Sequence, residues 1–319
     1  MDLAEQIKSR ALELGFDLVG ITDASPVDDQ QVEILRRWLA AGCAGQMTYL
    51  HRNLEKRINP AHLLRGARSV ICVAVNYKPA KHPPAKPSAP TGTVATYACC
   101  RDYHFLIKKL LCELAGFIAS EVGSNPRFKI CVDSAPVAEK ALACRAGLGF
   151  VGRNHLLTSP QLGSQLLLGE IITDLELPAD EPVEPGCGDC ANCIDACPTG
   201  ALQADGWFDA RKCISYLTIE HRGPIAGELA ARMGDHLFGC DRCILACPYT
   251  RRAPAAGNAQ LAYCPDRAAL SLQEVLAMDE EAFNRKFAGS VIRRVGLQRL
   301  RRNASICLVN AGNRKEIGR

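Results

Sequence analysis

The sequence predicts an α/β N-terminal domain, a cysteine-rich second domain and a short helical C-terminus. Three observations predict this order. Helical and strand-like apolar spacing alternates over the first half of the chain, cysteines are concentrated between 187 and 247, and a helical apolar pattern returns near the end. The predicted boundaries are 1–177, 178–265 and 266–319. With 319 residues and 48% hydrophobic content, the chain is long enough for two packed domains.

The first predicted elements follow from the spacing of apolar residues. Leu3, Ile7, Ala11 and Leu14 recur at helical spacing. In order, the predictions are a helix over 2–15, a strand over 16–22, a helix over 32–42 and a buried strand over 69–77. Residues 78–93 contain five prolines and little apolar content, so we expect a surface loop there.

Asp133 lies where the next predicted strand meets a helix. The pattern predicts a helix over 104–123, a strand over 128–133 and a helix from Pro136 to about residue 147. A carboxyl group at that junction can be desolvated, which would raise its pKa and suit it to proton donation. The alternative is that Asp133 or Ser134 only caps the helix. The polar segment 178–186 marks the first domain boundary.

Charge and targeting signals limit the function. The net charge is +4 from 38 basic and 34 acidic residues, so a basic surface would have to be local. The N-terminus lacks a signal-peptide pattern, and no run of 18 apolar residues occurs in the sequence. We therefore expect a cytoplasmic protein without a membrane partner. Disulfides are disfavoured in that compartment, and metal ligation is the better explanation for 17 cysteines.

Eight cysteines have the spacing of a bacterial ferredoxin. The stretch CGDCANCIDACP, residues 187–198, reads C-x2-C-x2-C-x3-C-P, and residues 240–248 repeat C-x2-C-x3-C-P with Cys213 between the two runs. In such proteins the last cysteine of each run ligates the other cluster. The spacing therefore predicts a ferredoxin-like domain with two [4Fe–4S] clusters. One would be held by Cys187, Cys190, Cys193 and Cys247, and the other by Cys197, Cys213, Cys240 and Cys243. The alternative is a pair of four-thiolate zinc sites.

The other nine cysteines and two partial motifs carry no functional prediction. Six cysteines in apolar segments are expected to be small buried residues: Cys43, Cys72, Cys112, Cys131, Cys144 and Cys307. Cys99, Cys100 and Cys264 are left without a role. GLGFVG at 147–152 follows a helix instead of a strand, so we interpret it as a turn and not as a dinucleotide site. RDYH and DHLFG match D-x-H-x-x-G, a cobalamin-ligating motif, only in part.

Two one-electron clusters indicate either an electron carrier or an enzyme that passes electrons to a separate reaction centre. More than 180 residues precede the clusters, which favours an N-terminal domain that holds a substrate or a further cofactor. Six motifs then carry a resemblance to a known family: YACCRDYH (97–104), VDSAPVAEKALA (132–143), GFVGRNHLLTSPQLGSQLLLGEI (149–171), CGDCANCIDACPTGAL (187–202), CISYLTIEHRG (213–223) and GCDRCILACP (239–248). In these the chain resembles the epoxyqueuosine reductases, cobalamin-dependent iron–sulfur enzymes of tRNA modification related to reductive dehalogenases.

The resemblance implies a reaction, an acid and a second cofactor. The epoxide of epoxyqueuosine at the tRNA wobble position would be reduced to the alkene of queuosine, with loss of the oxygen as water, which consumes two electrons and two protons. Asp133 corresponds to the acid of the family. The N-terminal domain would be reductive-dehalogenase-like and hold base-off cobalamin without a histidine on cobalt. The implied cobalamin contacts are Arg57, Tyr97, Asp133, Asn154, Thr158, Ser215 and Asp241.

RNA binding has a signal of its own near the C-terminus. Residues 285–302 carry seven basic residues and no acidic one, which suits phosphate contacts, although a solvated helix face is the alternative. The predicted tRNA contacts are Arg222, Arg293, Arg294, Arg299, Arg301 and Arg302. The apolar spacing of 294–313 resembles one helix of a HEAT-like unit. We expect a monomer that receives electrons from a low-potential donor. The competing functions are a corrinoid reductive dehalogenase and a two-cluster electron-transfer protein.

Overall fold

The computed structural model describes residues 2–80, 90–123, 125–184 and 186–317. The helices are α1 (Leu3–Leu14), α2 (Asp29–Ala40), α3 (Tyr49–Arg52), α4 (Leu54–Ile58), α5 (Tyr103–Val122), α6 (Glu139–Arg145), α7 (Asn192–Asp195), α8 (Ile214–Ile219), α9 (Gly227–Arg232), α10 (Arg242–Ala246), α11 (Pro248–Arg252), α12 (Leu272–Ala277), α13 (Glu280–Lys286) and α14 (Leu297–Ile317). The strands are β1 (Leu18–Asp23), β2 (Ser69–Asn76), β3 (Thr91–Val94), β4 (Phe128–Cys131), β5 (Phe150–Val151), β6 (Leu157–Thr158), β7 (Leu166–Thr173), β8 (His236–Phe238) and β9 (Ala269–Ser271).

The main sheet has four strands in the order β1-β2-β7-β4, and each neighbouring pair is antiparallel. Helices and strands alternate along the chain as predicted, yet the strands do not form a parallel sheet. All eight residues of β2 are buried, which requires that both faces of the sheet are covered. On one face Ile71 and Ile171 pack with Ile7 of α1 and Leu111 of α5. On the other face Ile172 packs with residues of α6.

The second sheet takes one strand from each of the three predicted segments. Its order is β8-β3-β9, with β3 parallel to β8 and antiparallel to β9. The prediction of a loop over 78–93 was wrong for Thr91–Thr93, which belong to β3, while 81–89 lie outside the described residues. Backbone pairing, which apolar spacing does not report, makes this strand. The three segments therefore pack as one body across this sheet.

The C-terminal segment is helical, but it does not stack as a separate repeat. The predicted helix is present as α14, and it packs against α12 and β8, while β9 of the same segment pairs with β3. Leu297, Leu300 and Ala304 belong to the same apolar core as α1 and α5. The expected HEAT-like arrangement is thus not supported, because the apolar face of α14 is buried on the rest of the chain.

Two smaller predictions differ from the structure near Asp133 and on α5. The helix expected from Pro136 begins only at Glu139, because Val132–Val137 form tight turns with a hydrogen bond from Val137 N to Ala135 O. Cys112, expected to be buried, is exposed on α5. The GLGFVG stretch begins with a turn after α6, as predicted, but its Phe150–Val151 form strand β5, so the interpretation as a turn holds only for the start of the stretch.

A substitution at Gly20 of β1 tests how closely the main sheet packs against the residues that follow α6. A Cβ atom at Gly20 would lie 2.0 Å from Ala146 O and 2.7 Å from Leu148 Cδ1, so backbone would have to move. We expect Gly20→Ala to lower the free energy of unfolding by about 1–3 kcal/mol, the usual cost of overpacking. Anaerobic denaturant unfolding measures the change.

The matched control is Gly116→Ala in α5, where a Cβ atom would meet nothing within 4 Å. That substitution should stabilise the protein by about 0.5–1 kcal/mol, since alanine favours the helix. Equal stability of the two variants would contradict close packing at Gly20.

Candidate active site and cluster cavities

The first predicted set of four cysteines surrounds one cavity. Cys187, Cys190, Cys193 and Cys247 all line a cavity of about 190 Å³. Cys187, Cys190 and Cys193 come from the loop before α7 and from α7 itself, whereas Cys247 immediately precedes α11. The structure therefore brings the last cysteine of the second run to the first three cysteines of the first run, as the crossed pattern requires.

The second predicted set is also close in space. Burial raises the pKa of Cys240 to about 12, and the neighbouring thiolates of Cys213 and Cys197 add to the shift. Burial likewise raises the pKa of Cys243, with further contributions from Cys240 and Cys213. Within the described ranges, no three Cys, His, Asp or Glu side chains converge tightly enough to hold a single metal ion.

A larger cavity of about 570 Å³ lies between β3, the segment that follows it and α10. Asp241 lines it and accepts a hydrogen bond from Thr96 N at 2.6 Å, and burial raises the pKa of this carboxyl. Gln165 also lines it, and its buried Nε2 has no hydrogen-bond partner among the described residues. An unpaired buried amide donor is costly unless a ligand completes it. The edge of a corrin ring carries amide groups, whose oxygens can accept a hydrogen bond from Gln165 Nε2.

The other predicted cobalamin contacts are divided among four places. Tyr97 follows Thr96, which lines the larger cavity, and its pKa is raised by burial and by the charges of Asp241 and Asp133. Asn154 and Thr158 line the smaller cysteine cavity and both hydrogen-bond to Ser164 Oγ. Ser215 lies in α8, where its backbone N–H points to the sulfur of Cys213. Arg57 lies beside the Asp133 loop and donates from Nη1 to Val137 O at 3.1 Å.

Asp133 has a strained backbone that is held by a neighbouring carboxylate. Its φ of 46° lies in the left-handed region, which is costly for a residue with a side chain and is typical of functional sites. Its N–H donates to Glu139 Oε1 at 2.7 Å. Ala138 is the N-cap of α6 and receives no side-chain cap. The alternative of Asp133 as a helix cap was therefore wrong.

The carboxylate of Asp133 meets the histidine of the RDYH stretch. His104 Nε2 lies 2.9 Å from Asp133 Oδ2, and His104 Nδ1 lies 2.6 Å from Asp102 Oδ1. Arg294 completes the group, with Nη2 3.3 Å from Asp102 Oδ2 and Nη1 3.0 Å from His104 Nε2. Sequence reasoning missed His104. The signal was present, since Asp102 is the N-cap of α5 and His104 follows it by two residues.

The protonation of this group differs from the sequence prediction. The hydrogen bond from His104 is the largest influence on Asp133 and lowers its pKa, and it outweighs the opposing effect of burial. The expected raised pKa of Asp133 was therefore wrong. The side chain of Asp133 is 55% exposed, whereas that of His104 is only 12% exposed. The carboxylate is thus accessible from outside while its partner is covered.

A second carboxyl group lies beneath the site. Glu170 of the central strand β7 is fully buried, and neither of its oxygens has a hydrogen-bond partner among the described residues. Burial raises the pKa of Glu170 strongly, and the charges of Glu139 and Asp133 raise it further. Burial also raises the pKa of Glu139 to about 7, with Asp133 contributing. Burial therefore favours the protonated form of Glu170.

The predicted tRNA-contacting arginines are not equivalent. The five N–H groups of Arg302 all have acceptors within the chain, among them the carbonyls of Leu217, His221 and Gly223. Arg299 donates to Ile219 O and Arg301 to Met278 O. Exposure is greatest at Arg222, Arg293 and Arg294. The idea that the whole basic run faces phosphates is thus incorrect, because three of its seven basic residues bond to backbone carbonyls of neighbouring segments.

No helix in the described ranges is long and apolar enough to cross a membrane.

Comparisons with known proteins agree with this geometry. Residues 57–134 match the family described as Epoxyqueuosine reductase QueG, DUF1730, and residues 186–250 match the 4Fe-4S double cluster binding domain. An epoxyqueuosine reductase of Vibrio cholerae is 41% identical over 311 residues, which is 97% of this chain and 84% of the relative. The two matched ranges contain Asp133 and all eight cysteines that the spacing predicts as cluster ligands.

Solved structures extend the likeness to the whole fold. A crystal structure of epoxyqueuosine reductase with an epoxyqueuosine-modified tRNA-Tyr stem loop has a TM-score of 0.89 at 31% identity, and the match covers 97% of this chain and 81% of that chain. A Bacillus subtilis epoxyqueuosine reductase, with its catalytic aspartate loop swung out of the active site, has a TM-score of 0.88 at 29% identity, with the same coverage.

Glu170 gives a prediction about stability and pH. Since its folded-state pKa is raised, the folded protein keeps a proton that the unfolded chain releases above about pH 4.5, so this group stabilises the fold less as pH rises. Glu170→Gln removes that dependence. We expect the stability of the variant relative to the parent to increase from pH 5 to pH 8, by up to about 1.4 kcal/mol per pH unit.

Thermal unfolding of the cluster-loaded proteins across this pH range measures the difference. The control is Glu176→Gln at an exposed carboxylate paired with Arg68, which should leave the pH slope unchanged. A parallel pH profile for Glu170→Gln and the parent would show that Glu170 is ionised in the folded protein.

Proposed function

The chain belongs to the epoxyqueuosine reductase family, and from this premise we propose that it reduces epoxyqueuosine in tRNA to queuosine, with Asp133 as the proton donor. The observation that carries the proposal is Asp133 itself, whose backbone is fixed by Glu139 and whose carboxylate is exposed beside a histidine. The relative solved with a modified stem loop supports tRNA as the substrate, and the Bacillus subtilis relative supports a catalytic aspartate loop.

The cavities suggest where the cofactors would be held. The two sets of four cysteines would hold two [4Fe–4S] clusters, and Gln165, Tyr97 and Asp241 would hold cobalamin at the larger cavity. When bound, these groups supply the two electrons that break the carbon–oxygen bonds of the epoxide, and a low-potential donor replaces them. Asn154 and Thr158 line the cavity of the first four cysteines and would lie between that cluster and the corrin.

The side chains of the protein manage the protons and the substrate. Reduction of an epoxide to an alkene releases its oxygen as water, so both protons end on the same oxygen atom. Asp133, exposed and fixed in place, is suited to reach that atom. Tyr49 is 42% exposed, and the charges of Glu220, Asp133 and Arg57 all affect its pKa. The charge of Asp133 also raises the pKa of Glu220, so these side chains are neighbours of the acid. These side chains would line the entrance through which the modified base approaches.

Anaerobic reconstitution with iron, sulfide and cobalamin, followed by nucleoside analysis of epoxyqueuosine-containing tRNA, tests the function. We expect about eight irons per chain, corrin binding and conversion to queuosine. Clusters without corrin binding would favour an electron-transfer protein instead. Corrin binding without any conversion of tRNA would favour the dehalogenase class.

Asp133→Asn separates proton donation from binding. Because Asn cannot donate an acidic proton, we expect kcat to fall by about a hundredfold or more, with iron content and corrin spectra retained. Steady-state kinetics with modified tRNA measures the loss. Asp29→Asn, at an exposed residue in the first turn of α2, is the matched control and should keep the parental kcat. A parental kcat for Asp133→Asn would exclude Asp133 as the acid.

The arginine geometry predicts two different phenotypes. Arg293→Ala removes an exposed guanidinium whose Nε bonds to Asn284 Oδ1 and whose other nitrogens meet no acceptor in the described part of the chain. The tRNA affinity should therefore fall, and the salt slope should flatten by about 0.7–0.9. Arg302→Ala removes a fully hydrogen-bonded guanidinium, so it should lower the free energy of unfolding by about 2 kcal/mol or more.

Binding titrations at two salt concentrations and thermal unfolding distinguish these effects. A flattened salt slope for Arg302→Ala with parental stability would instead place Arg302 on a phosphate.

A further inference from the structure

His104 is flanked by carboxylates on both ring nitrogens. Nδ1 lies 2.6 Å from Asp102 Oδ1, and Nε2 lies 2.9 Å from Asp133 Oδ2. Asp102 is fixed in turn, because its N–H donates to Gly289 O and its Oδ1 accepts from His104 N. An ionised carboxylate only accepts hydrogen bonds, so a ring between two of them is fully satisfied when both nitrogens carry a proton.

Arg294 offers Nε2 a second partner of the opposite kind. Its Nη1 lies 3.0 Å from the same Nε2, and a guanidinium N–H can only donate. A charged His104 donates from Nε2 to Asp133. A neutral His104 can instead accept a hydrogen bond at Nε2 from Arg294, while its Nδ1–H still donates to Asp102. Both protonation states of the ring therefore have a hydrogen-bond partner at each nitrogen without movement of the backbone.

We propose that His104 is a positioning residue that holds Asp133 in place and returns a proton to it between the two protonations of one turnover. The inference rests on the proposed function, since it concerns the same acid. One carboxyl group that protonates the same oxygen atom twice must be recharged before the second transfer. His104 is the covered group in direct contact with the exposed carboxylate, at 12% against 55% exposure.

The proton balance of the relay closes at each step. The relay starts from a charged His104 and an Asp133 carboxylate, the state in which Nε2 donates to Oδ2. The Nε2–H bond of His104 breaks, a proton forms a new O–H bond at Asp133 Oδ2, and the ring becomes neutral. Asp133 then releases this proton to the oxygen of the opened epoxide and is a carboxylate again. Solvent returns a proton to His104, and the same two transfers protonate the oxygen a second time, so that it leaves as water. A second proton from solvent restores the charged ring, and the two electrons come from the low-potential donor.

The surroundings of the pair determine its pH dependence. Burial by itself lowers the pKa of His104, but the hydrogen bonds to Asp102 and Asp133 outweigh burial and raise it. The titratable and charged groups that face the pair from the packed elements are Asp102, Tyr103, Arg294, Glu139, Arg57, Tyr49, Glu220 and Glu170. The relay should operate while His104 is charged and weaken as pH rises through its pKa.

The first test needs no turnover. Titration of ring-labelled histidines by NMR in the cluster-loaded, oxidised protein, with His104 assigned from His104→Gln, should give His104 a pKa above the ordinary histidine value. Asp133→Asn should lower that pKa, because it removes one carboxylate. An unchanged His104 pKa in Asp133→Asn would overturn the contact, whether or not the protein acts on tRNA.

The second test is the pH profile of kcat. Glutamine at position 104 can still donate a hydrogen bond to Asp133 but cannot transfer a proton, so His104→Gln should lower kcat by about tenfold to a hundredfold with KM for tRNA within about twofold. Its profile should lose the alkaline limb that the parent shows. His62→Gln is the control, since His62 is exposed and its Nδ1 lies 2.9 Å from Glu55 O, far from the Asp133 loop in the sequence.

Two kinetic outcomes would overturn the proposal. A parental kcat and profile for His104→Gln would remove His104 from the reaction, and a lowered kcat with the parental profile would reduce it to a structural support. If the parent itself converts no epoxyqueuosine, the proposed function fails, and the NMR titration still decides whether His104 and Asp133 share a proton.

Discussion

The hydrogen bond from Asp133 N to Glu139 is the contact on which the site depends. It supports a non-glycine residue at a positive φ, a conformation that costs about 1–3 kcal/mol and persists where the surrounding structure holds it. Glu139 can provide it because α6 begins there and lies flat on the main sheet, where its side chains pack with β2 and β7. The direction of the Asp133 carboxylate, and so its meeting with His104, follows from that placement. The start of α6 at Glu139 and not at Pro136 is therefore a functional detail.

Opposite pKa shifts divide the carboxyl groups around the site. Hydrogen bonds from His104 keep the pKa of Asp102 and Asp133 low against the effect of burial. Burial raises the pKa of Glu139 and Glu170, and at Glu139 it outweighs the opposing charges of Lys140 and Arg57. When the pKa values of neighbouring carboxyl groups are shifted in opposite directions, an acid and a base can lie close together at the same pH. It also limits net charge, since the neutral form of Glu170 avoids a buried anion beneath Asp133.

Much of the fold could be predicted from local spacing, and less of the site could. Helical periodicity gave α1, α2, α5 and α14 within a few residues, and the cysteine spacing gave both groups that the structure brings together. Strand β3 could not be found, because a proline-rich context conceals a segment whose strand character comes from pairing with β8 and β9. His104 was missed because its partner lies 29 residues away, and hydrogen bonds between distant segments leave no periodic pattern.

The basic run at 285–302 shows that arginines clustered in a sequence need not all be exposed on the surface. Arginine is suited both to phosphates and to groups of backbone carbonyls, and composition cannot distinguish the two uses. Arg302 and Arg299 point to the carbonyls that end α8, which follows Cys213, whereas Arg294 of the same run reaches Asp102 and His104. The C-terminal segment thus contacts both the cysteine-bearing region and the Asp133 site. Strand β9 of this segment also pairs with β3. The half-buried arginines of the segment therefore stabilise the contact between these two regions, and only the exposed arginines are accessible to RNA.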